Sequence, residues 1–245
     1  MRYGIVSDIH GNLEALSAVL EAIGAVDEIL CPGDIVGYGP NPNECCEIIS
    51  DLKAISVLGN HDAACVGLHN LEWFNPHAQT AILWTRDRLA KSHADRLLEH
   101  LEIHSGPEFL IVHGSLTQPL EFDYITSPWR AGESFAEMGK HAICFIGHTH
   151  IAEVYAHKLH HLGVDQIPMC EGGKITLAPS FKYIVNCGSV GQPRDGNPLA
   201  SYGIYDSEEN TIEICRVEYD MPTAQRKMIE AGLPDALWQR LEYGM

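Results

Sequence analysis

Short apolar runs alternate with amphipathic stretches through the first sixty positions. Tyr3–Ser7 predicts a buried strand, and Glu28–Cys31 and Ala54–Leu58 predict two more. Between the first two, Asn12 stands as a helix cap before Leu13, Leu16, Val19, Leu20 and Ile23, which share one face at helical spacing. Glu44–Leu52 predicts a second helix, entered through the turn-forming stretch Gly37-Tyr38-Gly39-Pro40-Asn41-Pro42. This βαβαβ rhythm implies a parallel sheet with helices on its faces.

The pattern then changes. Leu68–His104 is periodic at helical spacing, with Phe74, Ala78, Ala81 and Ile82 on one face, and Ser92 followed by Asp95 has the form of a capping box. Two helices lying near the site are expected there. Strands resume at Glu108–Val112 and Ala142–Ile146, with a helix over Arg130–Met138 between them. From Ala152 the alternation is that of antiparallel strands at Glu153–His157, Lys174–Leu177, Lys182–Asn186, Tyr202–Tyr205 and Thr211–Val217. The tail, Thr223–Tyr243, predicts two short helices broken at Gly232-Leu233-Pro234. Without a Ser/Gly or charged linker, residues 1–245 are expected to form one domain, with 68–104 a helical insertion and 223–245 a helical tail.

Composition narrows the partners. Hydrophobic residues at 45% and charged residues at 20% describe an ordinary globular chain. The net charge of -17 works against nucleic acid as a partner, because loose binding to it relies on Lys and Arg. An anionic substrate would be repelled at long range, so a phosphate site here needs strong local positive charge, which divalent metals supply. No apolar run approaches the roughly 20 residues of a membrane span, so no membrane partner is expected. Eight scattered cysteines without a CxxC pair, and an N-terminus lacking the apolar core of a leader, point to reduced thiols and a cytoplasmic protein.

Five short motifs fall at predicted strand ends: Asp8-Ile9-His10, Gly33-Asp34, Gly59-Asn60-His61-Asp62, Val112-His113-Gly114 and Gly147-His148-Thr149-His150. Ligands of open α/β sheets bind beyond the carboxyl ends of the strands, so five loops are expected to converge on one sheet edge. Imidazole, carboxylate and amide oxygen are the donors that bind borderline divalent metals. Each motif alone is commonly a turn or a hydrogen-bonded core residue. Their joint occurrence in this order, each after a strand, is what points to a metal site.

This ordered set, with Asn186-Cys187-Gly188-Ser189-Val190-Gly191-Gln192-Pro193-Arg194 downstream, resembles the calcineurin-like metallophosphoesterase superfamily, and most of all its small bacterial and archaeal phosphodiesterase branch. The resemblance implies an α/β fold, a four-layer αββα sandwich of two mixed sheets flanked by helices. It implies one metal held by Asp8, His10, Asp34 and His150, and a second held by Asp34, Asn60, His113 and His148, with Asp34 bridging. His61 would sit beside the substrate phosphate, oriented by Asp62. The cofactors would be two divalent ions; the mixed donors suit Mn, Fe, Zn, Ni or Co.

The expected activity is hydrolysis of a small phosphodiester, nucleotide-derived ones included, by attack of a metal-bridging hydroxide with His61 assisting the leaving group. The alternatives are a small-molecule phosphomonoesterase and a non-catalytic metal-binding scaffold. Protein phosphatases of the superfamily carry an Arg after Gly-Asp and another after Asn-His. Here Ile35 and Asp62 follow those motifs, which removes that clamp. A homo-oligomer is left open. Arg194 is expected to be exposed, Trp73, Trp84, Trp129 and Trp238 to anchor the core, and the remaining histidines to be surface or helix residues, with His69 and His77 the two that have a route to the site.

Overall fold

The strand–helix alternation of the first half folds as its apolar spacing dictates. In the computed structural model, which describes residues 1–245, β1 (Arg2–Ile5) leads to α1 (Leu13–Ile23), β2 (Glu28–Cys31), α2 (Pro42–Asp51) and β3 (Ile55–Ser56). Asn12 caps α1, its side chain accepting from the Ala15 amide at 3.1 Å. Three helices follow, α3 (Asn60–Cys65), α4 (Pro76–Arg86) and α5 (Lys91–Leu98). Then come β4 (Ile103–Ser105), β5 (Phe109–Val112), α6 (Pro128–Glu137) and β6 (Ile143–Ile146). Six strands, β7 (Ala152–Lys158), β8 (Asp165–Pro168), β9 (Gly173–Thr176), β10 (Phe181–Cys187), β11 (Ala200–Asp206) and β12 (Thr211–Val217), precede α7 (Met221–Glu230) and α8 (Asp235–Gln239).

The strands form two six-stranded mixed sheets, ordered β3-β2-β1-β11-β12-β9 and β4-β5-β6-β10-β7-β8. Period-two alternation explains how they stack. Phe109, Ile111, Ile143 and Phe145 point into a core shared with Ile5, Leu30, Tyr205 and Ile212 of the other sheet. Their neighbours Leu110, Val112, Cys144 and Ile146 point outward onto Ala131 and Phe135 of α6. On the far side, Leu16 and Val19 of α1 and Cys45 and Ile49 of α2 cover the first sheet. The result is the four-layer αββα sandwich of two mixed sheets.

The structure departs from the sequence reading at identifiable points. β4 and β8 are edge strands with half-exposed or exposed residues, so no apolar run announced them, and the helical reading of 68–104 overran β4. α3 is entirely buried, so it shows no amphipathic period. Ser92 and Asp95 do not cap: α5 begins after Ala90 without a side-chain cap, and Asp95 instead pairs with Lys91 at 2.7 Å. The strands after Ala152 pair antiparallel, except that β10 also runs parallel to β6. The two tail helices form as expected. All eight cysteines are free, and no helix is long and apolar enough to cross a membrane.

Candidate metal centre

The motif loops converge, but from two sheets rather than one. Asp8 and His10 follow β1, Asp34 follows β2 and Asn60 follows β3, all in the first sheet. His113 follows β5, and His148 and His150 follow β6, in the second. Backbone bonds lash the loops together: the Asp8 amide donates to the Gly33 carbonyl at 3.0 Å, the His10 amide to Asp34 at 3.0 Å, and the Gly147 amide to His113 at 2.9 Å. Across the sheets, the His148 amide donates to Asp8 Oδ1 at 3.0 Å.

The seven side chains are all buried. His10 Nε2 and His150 Nε2 stand 3.1 Å apart, and His150 Nε2 is 3.3 Å from Asp8 Oδ1. His113 Nε2 lies 3.0 Å from Asn60 Oδ1 and 3.3 Å from Asp34 Oδ2. Asp34 Oδ2 is also 3.6 Å from His10 Nε2, so one carboxylate oxygen faces both groups. That oxygen and His148 Nε2 are buried without a hydrogen-bond partner, an expense a fold rarely leaves uncompensated. The Nδ1 atoms of His10, His113 and His150 are bound to the carbonyls of Val36, Pro32 and Gln192 at 3.1, 2.8 and 2.6 Å. This fixes each ring so that Nε2 faces inward, the usual arrangement of metal-binding imidazoles. Crowded inward ring nitrogens and an orphaned carboxylate oxygen fit divalent cations. Three close clusters form, Asp8/His10/His150, Asp34/His113/His148 and, between them, His10/Asp34/His61.

Electrostatics agree. Burial drives the imidazoles of His10, His148 and His150 well below their ordinary range, so they are neutral donors. Burial works against the charge of Asp34, but His113, His61 and His10 outweigh it and hold the carboxyl well below its usual range. Burial likewise opposes the charge on His113, yet the Asp34 carboxylate raises it to about 9. Burial and neighbouring Asp34 push Asp8 up to about 6.

His61 lines a cavity with Asp34, Asn60, His148 and His150, and burial takes its imidazole down to about 4, with Asp34 opposing and Arg194 reinforcing. The expected link from Asp62 is not formed. The Asp62 carboxylate accepts from the Val36 amide at 3.0 Å and the Gly59 amide at 3.4 Å, and His61 Nδ1 has no partner. Asp62 is two positions from Asn60 at the start of α3, so its side chain turns back to latch the Asp34 loop. Close contact requires glycine at several points, Gly59 and Gly147 among them. A Cβ at Gly59 would overlap the Asp34 carboxylate and amide, and one at Gly147 would overlap Ser7 Oγ and Asp8 Oδ2.

The Asn186–Arg194 stretch buttresses the centre. Asn186 donates to the Gly147 carbonyl at 2.7 Å and to Thr149 Oγ1 at 2.9 Å, and Ser189 Oγ donates to the Asp8 carbonyl at 2.8 Å. Arg194 is half-buried and lines the cavity, contrary to the exposed position expected. Its guanidinium lies 5.6 Å from the Tyr38 ring, and Tyr38 also lines the cavity while Asn41 does not. Of His69 and His77, only His69 lines it. Trp73 and Trp129 are exposed rather than core anchors, whereas Trp84 donates to the Ala231 carbonyl at 2.9 Å beneath the tail, and Trp238 is half-buried in the same tail cluster. Glu121, Phe122 and Tyr124, which line the cavity from the loop after β5, carried no motif in the sequence.

Comparison with known proteins agrees with this geometry. Residues 1–210 match the calcineurin-like phosphoesterase superfamily domain. The chain is 40% identical over 252 residues to protein MJ0912 of Methanocaldococcus jannaschii, covering 98% of this chain and 97% of that one. It is 24% identical over 221 residues to phosphodiesterase YfcE of Escherichia coli, covering 85% and 89% of the two chains. The crystal structure of a metallophosphoesterase from Sphaerobacter thermophilus superposes over the whole of both chains with a TM-score of 0.87 at 39% identity. A two-sheet sandwich with its imidazoles and carboxylates gathered at one edge, matched over its length by such relatives, places this chain in the calcineurin-like phosphoesterase superfamily as a phosphoric ester hydrolase.

Proposed function

We propose that this protein hydrolyses small phosphodiesters, nucleotide-derived ones included, with two divalent ions held in adjoining cages. Asp8, His10, Asp34 and His150 would hold one, and Asp34, Asn60, His113 and His148 the other. The observation that carries the reading is Asp34 Oδ2, buried, unpartnered and shared between His10 and His113. Two ions in such cages supply an activated water and neutralise phosphoryl charge.

The chain's own groups do the rest. Carbonyls of Val36, Pro32 and Gln192 keep the ligand rings aimed inward. His61, neutral before substrate arrives, acts as a hydrogen-bond donor to the phosphoryl or departing oxygen and takes up positive character only beside that anion. Arg194 supplies one charge-assisted contact to a phosphoryl oxygen. A lone arginine suits a monoanionic diester better than a dianionic monoester, and the 24% identical relative YfcE is named a phosphodiesterase.

The test is turnover of model diesters and monoesters by metal-stripped protein, with Mn, Fe, Zn, Ni, Co and Mg added back singly. Diester turnover restored by a borderline metal, with two ions per chain, is the expected result. Preference for monoesters moves the assignment to a phosphomonoesterase, and no hydrolysis with any metal leaves only a metal-binding scaffold.

A further inference from the structure

The cavity over the cages holds about 140 Å³, well short of the roughly 300–1,000 Å³ that encloses a whole drug-sized ligand. A substrate must therefore place its phosphate in the cavity and project an ester substituent outward past the lining side chains. Most of those side chains are aromatic. Trp73 is 68% exposed and belongs to no core cluster, so the fold does not account for its position. His69 lies beside it at 6.0 Å between ring centroids, and Tyr124, half exposed, stacks on His148 at 3.8 Å. Phe122 fixes His69 edge-on at 5.2 Å and is held at a φ of +52°, a conformation that a bulky residue keeps only where its surroundings impose it. Phe74, next to Trp73 in sequence, meets the His61 ring edge-on at 5.0 Å. Trp73 and His61 line the same cavity.

Charge restricts the substrate further. Arg194 is the only Lys or Arg among the lining residues, and Glu121 lines the same cavity. Arg240, close to Arg194 and Tyr38, is bonded to the Met245 carbonyl. One phosphate is matched, while additional phosphates would meet Glu121.

We propose that this wall is a leaving-group subsite for a planar aromatic ring carried on a single phosphate, with Trp73 as the stacking face and Glu121 opposing further phosphates. The assignment rests on the hydrolase reading above and narrows it from phosphodiesters at large to aryl and nucleoside esters without a polyphosphate chain. Stacking of a base or aryl ring on an exposed aromatic is worth about tenfold in affinity.

The test uses manganese-loaded enzyme and two methyl phosphodiesters whose aryl and fluoroalkyl leaving groups are matched in acidity. The expected result is an aryl preference of about tenfold in kcat/KM, largely abolished in Trp73→Ala and restored in Trp73→Phe, at equal metal content. A wild-type preference within about twofold, or one that Trp73→Ala leaves unmoved, overturns the ring subsite. The KM for a dinucleoside monophosphate should lie well below that for a dinucleoside tetraphosphate, with Glu121→Gln narrowing the gap; the reverse order overturns the single-phosphate limit. If no ester is hydrolysed with any metal, the hydrolase reading is what fails. Saturable quenching of tryptophan fluorescence by adenosine 5′-monophosphate, lost in Trp73→Ala, then still supports the subsite, and absence of quenching overturns it.

Discussion

The proton that His113 carries at neutral pH sets how this centre would load. His113 is raised to about 9 by the Asp34 carboxylate against the pull of burial, so at neutral pH an ion entering the second cage must displace that proton. Affinity there should rise about tenfold per pH unit up to about 9 and level off above it. The first cage is limited by Asp8, which burial raises to about 6, so its affinity should be flat above pH 6 and fall below it. Titration of Mn into metal-free protein from pH 5.5 to 8.5 should therefore resolve two sites, the second emptying first as pH falls; parallel weakening of both would contradict the assignment. His61 is separable from metal loading. Its backbone amide donates to Asp34 Oδ1 at 2.8 Å, and that bond survives removal of the ring. His61→Ala should keep both ions by elemental analysis yet lose roughly 10²–10⁴-fold in turnover, and turnover within a few-fold of the parent would remove the ring from the chemistry.

The loops, not the strands, carry the strain. Eleven non-glycine residues have positive φ, and Asp8, His10, Asp34, His148 and His150 are five of them, with Tyr38 and Phe122 beside the same cavity. Each such residue costs on the order of 1 kcal/mol, and the cost is sustained because the loops brace one another through Gly33, His113 and Asp8. The bracing leaves no slack. At Gly59 an added methyl would occupy the space of the Asp34 carboxylate, so Gly59→Ala should displace the shared ligand and release at least one metal per chain, with far-ultraviolet circular dichroism unchanged. Retention of two ions would show that the loop yields more readily than its packing implies. Asp62 braces this element: tied to the amides of Val36 and Gly59, it holds the Asp34 loop against α3.

At the scale of the molecule, the centre lies where the carboxyl ends of parallel strands from two sheets meet, and the C-terminal tail supports one side of it. Leu233, Leu237 and Leu241 pack with Met228 against Tyr38, Ala78 and Ala81, and Tyr38 in turn touches the rings of His10 and His61, at centroid separations of 4.6 and 4.3 Å. Removing buried methylenes there should be felt at the site. Leu237→Ala should cost about 3 kcal/mol, a fall in Tm of about 6–12 °C for a chain of this size, and should raise KM as Tyr38 loses its backing. A stability loss with KM unchanged would show that the tail only stabilises the fold.

The sequence by itself determined most of the alternation of elements, because period-two and period-3.6 apolar spacing is local, while the αββα layering and the seven candidate ligands followed from the resemblance that its motifs carry. It could not show that His113, His148 and His150 arrive on a second sheet. That depends on β10 and β11, which insert β6 and β1 into separate sheets through pairings roughly 40 to 200 residues apart. Asp62 looked like a partner for His61 because they are adjacent, but the start of α3 turns its carboxylate toward Gly59 and Val36. Arg194 and the aromatic wall of Trp73, Phe122 and Tyr124 follow no spacing rule. Only the tertiary fold, which brings the insertion, the loop after β5 and the Asn186–Arg194 stretch around one cavity, decides that they line it.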